Sequence, residues 1–254
     1  MSVLAVRGLS KSFGGVQAVR ELDFDVAEGE VVAMIGPNGA GKTTCFNMIG
    51  GQLRPDAGSI VFRERQLAGL GAPAIWRLGV GRTFQLTQTF ASMTVRENVQ
   101  AALISHRGRT RSVFARAKTL FAAQADALLA RVGLVDHAEL ACASLAYGDL
   151  KRLELAVALA NAPRLLLLDE PTAGISANER QGLMVLIAEV VSERRISVLF
   201  TEHDMDVVFG HAARVLVLHR GRLVAEGDPD TVRADARVRE IYLGSGVVGG
   251  RAED

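Results

Sequence analysis

The segment Gly36-Pro37-Asn38-Gly39-Ala40-Gly41-Lys42-Thr43-Thr44 comes directly after the apolar run Val31-Val32-Ala33-Met34-Ile35. It matches G-x-x-x-x-G-K-[ST] at every fixed position, and no other stretch restricts the local fold as tightly. The apolar run predicts a buried strand over 31–35, and Thr43 to Ile49 a helix with Phe46 and Ile49 on one face. Glycines let backbone N–H groups turn inward and approach phosphate oxygens. Lys42 brings a compact positive charge for the β- and γ-phosphates, and Thr43 a hydroxyl for Mg²⁺. The dipole at the start of the helix favours the same anion. A Gly-rich turn can match such a pattern by chance, but not readily with a strand before it and a helix behind. The expected ligand is a nucleoside triphosphate with Mg²⁺.

At 254 residues the chain is long enough to bury a substantial core, as one large domain or two small ones. Hydrophobic residues make up 49% and charged residues 22%, an ordinary globular balance. The formal net charge of +1 argues against a broad electrostatic footprint for nucleic acid. No apolar run reaches the roughly 18–20 residues that span a bilayer, and the first seven residues lack the layout of a signal peptide. Cys45 and Cys142 form no metal or disulfide pattern, and Cys45 reads as a small helix residue. A cytosolic chain is expected, with any membrane role exercised through a partner.

In order, Val3 to Arg7 and Leu22 to Val26 read as strands, with Leu9 to Val19 between them. Phe13, between Lys11-Ser12 and Gly14-Gly15, can stack on a base, although local sequence alone favours an ordinary core aromatic. Arg54 to Gly58 reads as a turn, Ser59 to Phe62 as a strand and Ala68 to Leu78 as a weak helix. Thr94-Val95-Arg96-Glu97 is a capping box that starts a helix towards Ile104. A basic link, His106 to Arg111, reads as a solvated loop more readily than as a lipid or protein contact. Val113 to Val132 carries apolar residues at helical spacing. A mostly helical insert is therefore expected over about 87–160, between strand-rich parts at 1–86 and 161–254. Further strands are expected at Leu165 to Leu168, at Ser197 to Thr201, and in a hairpin of Arg214 to Leu218 with Leu223 to Glu226. Helices are expected at Gly182 to Val191 and Thr231 to Leu243.

Phosphoryl transfer to water needs a charged cradle, a metal, a base and a group that holds the γ-phosphate. Asp169 ends the four-leucine run, where a carboxylate can hold Mg²⁺ through its water shell. Glu170 beside it is placed to accept a proton from the attacking water. Two acids at a strand end can also simply face solvent, but four leucines before them and Pro171-Thr172 after them argue otherwise. His203 lies just past the strand ending at Thr201; a lone histidine there is more often structural, whereas in company with Glu170 it can help position the water. Gln85 offers an amide oxygen to Mg²⁺ or to the nucleophile, at the passage into the insert.

Taken together, these residues resemble an ATP-binding cassette (ABC) ATPase over essentially the whole chain. The loop at 36–44, Gln85, Leu145-Ala146-Tyr147-Gly148-Asp149, the run to Glu170, and His203 stand in that family's order and spacing. The resemblance implies an α/β P-loop NTPase fold with a mixed, largely parallel core sheet, an antiparallel β subdomain and a helical insert, in a single nucleotide-binding domain over 1–254. It implies ATP and Mg²⁺, and a second cassette whose ATP the segment 145–149 closes over. Permease subunits and, indirectly, a substrate-binding protein are further implied partners. Phe13 falls where the family places its adenine-stacking aromatic, which turns the reading away from a core residue. Leu9 to Val19, Gly81 to Gln85, Thr201 to Asp206 and Ile241 to Gly244 look like the ATP-binding subunits of branched-chain amino acid importers. Cassettes for urea, other small solutes or lipid and lipopolysaccharide export are similar enough to stand as alternatives. A soluble cassette protein of translation or DNA maintenance is disfavoured by the single cassette, and a P-loop kinase by the segment 145–149.

This sequence departs from the family pattern at three positions. Ala146 replaces the usual serine of the signature, removing a hydrogen bond to phosphate of about 1.5–3 kcal/mol. Asp149 replaces the usual glutamine; a carboxylate caps the expected helix Leu150 to Ala160 well but repels phosphate, so it is expected to point aside. Ser176 stands where an aspartate is usual, which weakens the implied cross-dimer contact.

Overall fold

In the computed structural model, which describes residues 2–84, 89–108 and 119–243, the strands are β1 (Ser2–Phe13), β2 (Val16–Ala27), β3 (Val31–Ile35), β4 (Ala57–Phe62), β5 (Arg65–Gln66), β6 (Val80–Arg82), β7 (Leu165–Asp169), β8 (Ser197–Thr201), β9 (Arg214–His219) and β10 (Arg222–Gly227). The helices are α1 (Lys42–Ile49), α2 (Ala72–Arg77), α3 (Val95–His106), α4 (Ala122–Arg131), α5 (Tyr147–Leu159), α6 (Ala177–Arg194), α7 (Met205–His211), α8 (Pro229–Ala234) and α9 (Ala236–Leu243). They group into two compact units, residues 1–72 with 197–254, and residues 73–196.

In the first unit, β1 to β5 without β3 make an antiparallel sheet in the order β2-β1-β4-β5. Leu4, Val6 and Leu9 of β1 are buried with Leu22, Phe24 and Val26 of β2, one face of each strand, as alternation requires. The strand expected at 22–26 extends back to Val16, and Glu21 absorbs the irregularity at φ 46°. β1 likewise runs past Arg7 to Phe13 by bulging near Gly8, φ 57°. β3 lies between β8 and β9, parallel to both, and β10 pairs antiparallel with β9 as the expected hairpin. Val32 to Ile35 are completely buried, as suits a parallel strand covered on both faces.

Arg214, at the start of β9, ties four segments of this unit together. Its Nε and Nη2 donate to the two Glu30 carboxylate oxygens at 2.7 and 2.8 Å, and Nη2 also to the Asp25 carbonyl at 2.7 Å. Nη1 pairs with Glu226 of β10. Bidentate, charge-assisted bonds of this kind are the strong class. They raise the guanidinium pKa, led by the Glu30 bond, and burial only partly opposes them. Burial works against ionisation of Glu30, but the bonds from Arg214 and from the Ala27 N–H hold its carboxyl below the usual range.

In the second unit, β6 and β7 pair in parallel, Val80 opposite Leu165 and Arg82 opposite Leu167. All five residues of β7 are buried. Both halves of the Thr94–Glu97 capping box are present at the start of α3, as expected. Of the helix expected over 113–132, residues 113–118 lie outside the described residues, 119–121 form a turn and α4 covers Ala122–Arg131. Phe121 sits at φ 59°, and the Leu120 carbonyl accepts a bond from the Gln100 side chain at 2.8 Å instead of serving a helix. In the first unit, the helix expected over 231–243 is two helices broken at Asp235, whose carboxylate accepts from the Arg237 and Val238 N–H groups and caps α9. α5 starts at Tyr147 rather than Leu150, so Ala146 holds the cap position and Asp149 lies inside the first turn. The carboxylate therefore does not cap that helix.

Replacing Arg214 by Met should lower stability in urea unfolding by about 1.5–3 kcal/mol, the range for hydrogen bonds to charged groups. Glu30→Gln should show a related loss near neutral pH. Because Glu30 titrates lower in the folded than in the unfolded chain, its contribution is complete above the ordinary glutamate pKa and disappears as pH falls through the depressed folded value. The difference between wild type and Glu30→Gln should shrink over that acid window. A difference that stays constant there would show that the pair does not set Glu30.

Candidate functional site

The loop at the end of β3 is shaped by its glycines. A Cβ on Gly36, φ 154°, would overlap the Leu218 carbonyl oxygen, and one on Gly41, φ 108°, would lie 2.5 Å from the Ala18 carbonyl oxygen. Both positions need glycine for space as well as conformation. Neighbouring backbone pins the outside of the loop: the Gly221 N–H donates to the Ala40 carbonyl at 2.9 Å, and the Arg20 N–H to the Gly221 carbonyl at 2.8 Å. Around Gly39 a Cβ would meet nothing within 4 Å, so that side is open.

α1 begins at Lys42 with Gly41 as its cap, without a side-chain cap bond and without an acid in its first turn. Its leading N–H groups and dipole are therefore available to an anion. Lys42 is 7% exposed, and its ammonium donates to the Gly36 and Pro37 carbonyls at 2.5 and 3.4 Å, curled over the loop. Thr43 is exposed and Thr44 half-buried; Pro37 is half-buried, and Asn38 and Gly39 are exposed. Cys45 behind the loop is wholly buried, and burial pushes its thiol up to about 12, so it is an inert packing residue. A loop that only glycine fits, an uncapped helix start and an amine bent over it suit a polyphosphate.

Elsewhere in the same unit, Phe13 closes β1 and is 51% exposed, so it is not a core aromatic. Lys11 Nζ lies 5.7 Å from its ring centroid and pairs with Asp56 at 2.6 Å. A solvent-facing ring with a cation beside it suits an adenine. His203, just beyond β8, is exposed rather than packed as a structural histidine. The carboxylate of Glu202, only 4% exposed, accepts from the His203 N–H at 3.2 Å. Asp204 caps α7 by accepting from the Asp206 and Val207 N–H groups.

In the second unit, Asp169 ends β7 and is 5% exposed. Arg82 of β6 lies 3.5 Å from its Oδ2, both side chains almost buried. Burial lowers the Arg82 guanidinium pKa, with Asp169 opposing the shift. Sequence reading missed Arg82, and the only available signal was that β6 and β7 would pair in parallel. Glu170 comes next at φ 49°, a left-handed position uncommon for a side chain of its size. Its carbonyl accepts from the Ala173 N–H at 3.1 Å in a tight turn. Strain of this kind gathers where a group must be aimed. Ala146 is exposed, Tyr147 is 40% exposed, and Gly148 and Asp149 are half-buried in the first turn of α5. Ser176 caps α6 in a reciprocal box with Glu179, Oγ to Oε2 at 2.6 Å, which explains a hydroxyl at that position. Gln85 lies outside the described residues.

Among the described residues, no three His, Cys, Asp or Glu side chains gather into a metal cluster. Mg²⁺ does not require one, since it keeps waters and phosphate oxygens as ligands. No described helix is long and apolar enough to cross a membrane.

A family model described as ABC transporter matches residues 19–173, and one described as branched-chain amino acid ATP-binding cassette transporter matches residues 222–248. The chain is 42% identical over 250 residues to the high-affinity branched-chain amino acid transport ATP-binding protein LivG of Salmonella typhimurium, covering 95% of this chain and 98% of that one. It is 38% identical over 249 residues to the corresponding BraF protein of Pseudomonas aeruginosa, with 95% and 98% covered. Among solved structures, a nucleotide-free ATP-binding cassette from an ABC transporter superposes with a TM-score of 0.85 at 28% identity, over 95% of this chain and 99% of that one. With a family model matching more than half of its length and relatives about 40% identical over nearly all of it, the chain belongs to the ABC transporter ATP-binding protein family.

Proposed function

We propose that this chain hydrolyses ATP as one of two cassettes, and that the pair drives a permease importing branched-chain or related small hydrophobic amino acids. The observation that carries the ATPase reading is the loop of Gly36 and Gly41 with Lys42 folded over it. Glycine-only backbone and an ammonium beside it support a phosphate site there. The cargo rests on the match at 222–248 and on the transport role in the names of the most similar relatives.

In this reading Phe13 stacks on the adenine. Backbone N–H groups from Gly36 to Thr44 receive the phosphates with the dipole of α1 behind them, and Lys42 swings from its carbonyl partners to the β- and γ-phosphate oxygens. Mg²⁺, when bound, neutralises the charge on those oxygens, with Thr43, Asp169 and Gln85 as the residues suited to hold it or its waters. Glu170 takes the proton from the attacking water as its oxygen attacks the γ-phosphorus; the bond to the β-γ bridging oxygen breaks, leaving ADP and phosphate. His203 and Gln85 orient that water. Ala146, Tyr147, Gly148 and Asp149 cover the ATP held by the other cassette, through N–H groups of α5 in place of a serine hydroxyl. The chain works at the cytoplasmic face of the membrane, attached through its permease, and the substrate-binding protein acts on it only indirectly.

Glu170→Gln should retain ATP while turnover falls at least ~100-fold, the lower range for a lost general base. In a single-turnover assay normal hydrolysis by that variant would remove Glu170 from the role. Phe13→Ala should weaken ATP binding by about 1–3 kcal/mol, the worth of one base stack, whereas Phe13→Tyr should bind normally; equal affinities for all three would place the adenine elsewhere. In cells that depend on this chain, uptake of labelled leucine, isoleucine and valine should be restored by the wild type and not by Glu170→Gln. Restored uptake of a different solute with none of these three would replace the cargo.

A further inference from the structure

Within residues 73–196, the signature turn and the turn that carries Glu170 are physically interlocked. A Cβ on Gly174 would meet the Tyr147 ring at 2.8 Å, and one on Gly148 would meet Glu179 Oε1 at 2.8 Å. Further along α5, Lys151 and Glu154 are 4% and 6% exposed, with Nζ and Oε2 at 3.5 Å. Lys151 Nζ is also 5.5 Å from the Tyr147 ring centroid. Beside the pair lies a cavity of about 10 Å³ whose walls include Thr83, Leu168 and Pro171. Pro171 directly succeeds Glu170, Leu168 precedes Asp169, and Thr83 succeeds Arg82, the ion-pair partner of Asp169. The Thr83 hydroxyl is buried without a hydrogen-bond partner among the described residues. A space of this size suits a single water, with the hydroxyl, the ammonium and the carboxylate around it.

Packing alone does not account for these charges. A buried ion pair is commonly no better for stability than well-fitted apolar side chains, because desolvation offsets the attraction. This pair lies instead between the two turns that have to act together. One end meets Tyr147 of the signature segment; the other faces the cavity walled by the residues that flank Asp169 and Glu170.

We propose that Lys151 and Glu154 are positioning residues that couple closure at Tyr147 to the placement of Glu170 in the same chain. Contact of Tyr147 with the other cassette's nucleotide shifts the ring over Lys151, the ion pair moves with it, and the Pro171 wall holds Glu170 in its hydrolytic orientation. Each cassette then hydrolyses its own ATP only when its signature segment is engaged. This rests on the reading of 145–149 as the lid and of Glu170 as the base.

The test uses the full chain carrying Lys151→Met with Glu154→Leu, beside Lys151→Arg and Glu170→Gln. The double variant should melt at or above the wild-type temperature and bind ATP as tightly. Its kcat should be about 2- to 30-fold lower, the span of known positioning networks, with a loss of cooperativity in ATP. Lys151→Arg should keep most of the turnover. A stable double variant with wild-type kcat and cooperativity would overturn the proposal, as would a parallel fall in melting temperature, affinity and kcat, which marks a merely structural pair. If the double variant does not fold, Glu154→Gln decides: lower kcat at unchanged affinity supports the coupling, and unchanged kcat refutes it. Normal turnover by Glu170→Gln would instead fault the underlying assignment of the base.

Discussion

The parallel pairing of β3 with β8 on one side and β9 on the other governs the nucleotide loop. Parallel strands deliver the loops at their C-terminal ends to the same sheet edge, the usual place for ligands in α/β folds. Met34 stands opposite Thr201, so Gly36 and the Glu202–Asp204 segment both emerge there. Ile35 stands opposite Val217, which brings the Leu218 carbonyl against Gly36. The first glycine of the loop is thus required by sheet register, independently of what the loop binds. The Arg214 bonds to Glu30 and Asp25 hold that register at the opposite end of the same strands.

What could be read from the chain was whatever is local and short in period. β3 with its loop, β7, β8, the hairpin of β9 and β10, and the Thr94 capping box all announce themselves within a few residues. One misjudged element was decided by a partner distant in sequence, and another by a local cap. Gln100 takes the Leu120 carbonyl and moves the start of α4, and nothing near Leu120 signals it. Asp235 breaks the last helix by capping the next one, and such a cap does show in sequence once Asp-Ala-Arg is read as a helix start. Phe13 shows the limit of aromatic patterning, since only its place at the end of β1 makes it exposed. Lys151 and Glu154, three residues apart, resemble a solvated surface pair until α5 is packed.

The departures from the family pattern acquire local causes in the fold. Ser176 is held by the capping box of α6, and bonds from Ser176 keep the Glu179 carboxyl below its ordinary range. An aspartate at that position would place a second carboxylate beside Glu179. Glu170 carries the opposite kind of feature, a left-handed backbone with no glycine to relieve it. Its neighbours Asp169 and Pro171 are both buried, so the turn cannot relax without uncovering them. Strained positions of this kind are common where a side chain has to meet a reacting atom.

The helix starts separate gripping from covering. α3, α6, α7 and α8 each begin on a side-chain cap: Thr94, Ser176, Asp204 and Asp228. α1 and α5 do not. Lack of a cap is insufficient on its own, since α4 also lacks one and begins on a left-handed Phe121 with no phosphate loop before it. The difference between α1 and α5 lies in charge. The first turn of α1 has no acid and carries Lys42, so dipole and ammonium act together on an anion. The first turn of α5 contains Asp149, and a carboxylate there offsets a dipole contribution of about 0.3–1 kcal/mol. With Ala146 offering no hydroxyl, the start of α5 is less favourable to an anion than the start of α1. Under the proposed function, that inequality would keep the nucleotide with the loop after β3 when the lid opens.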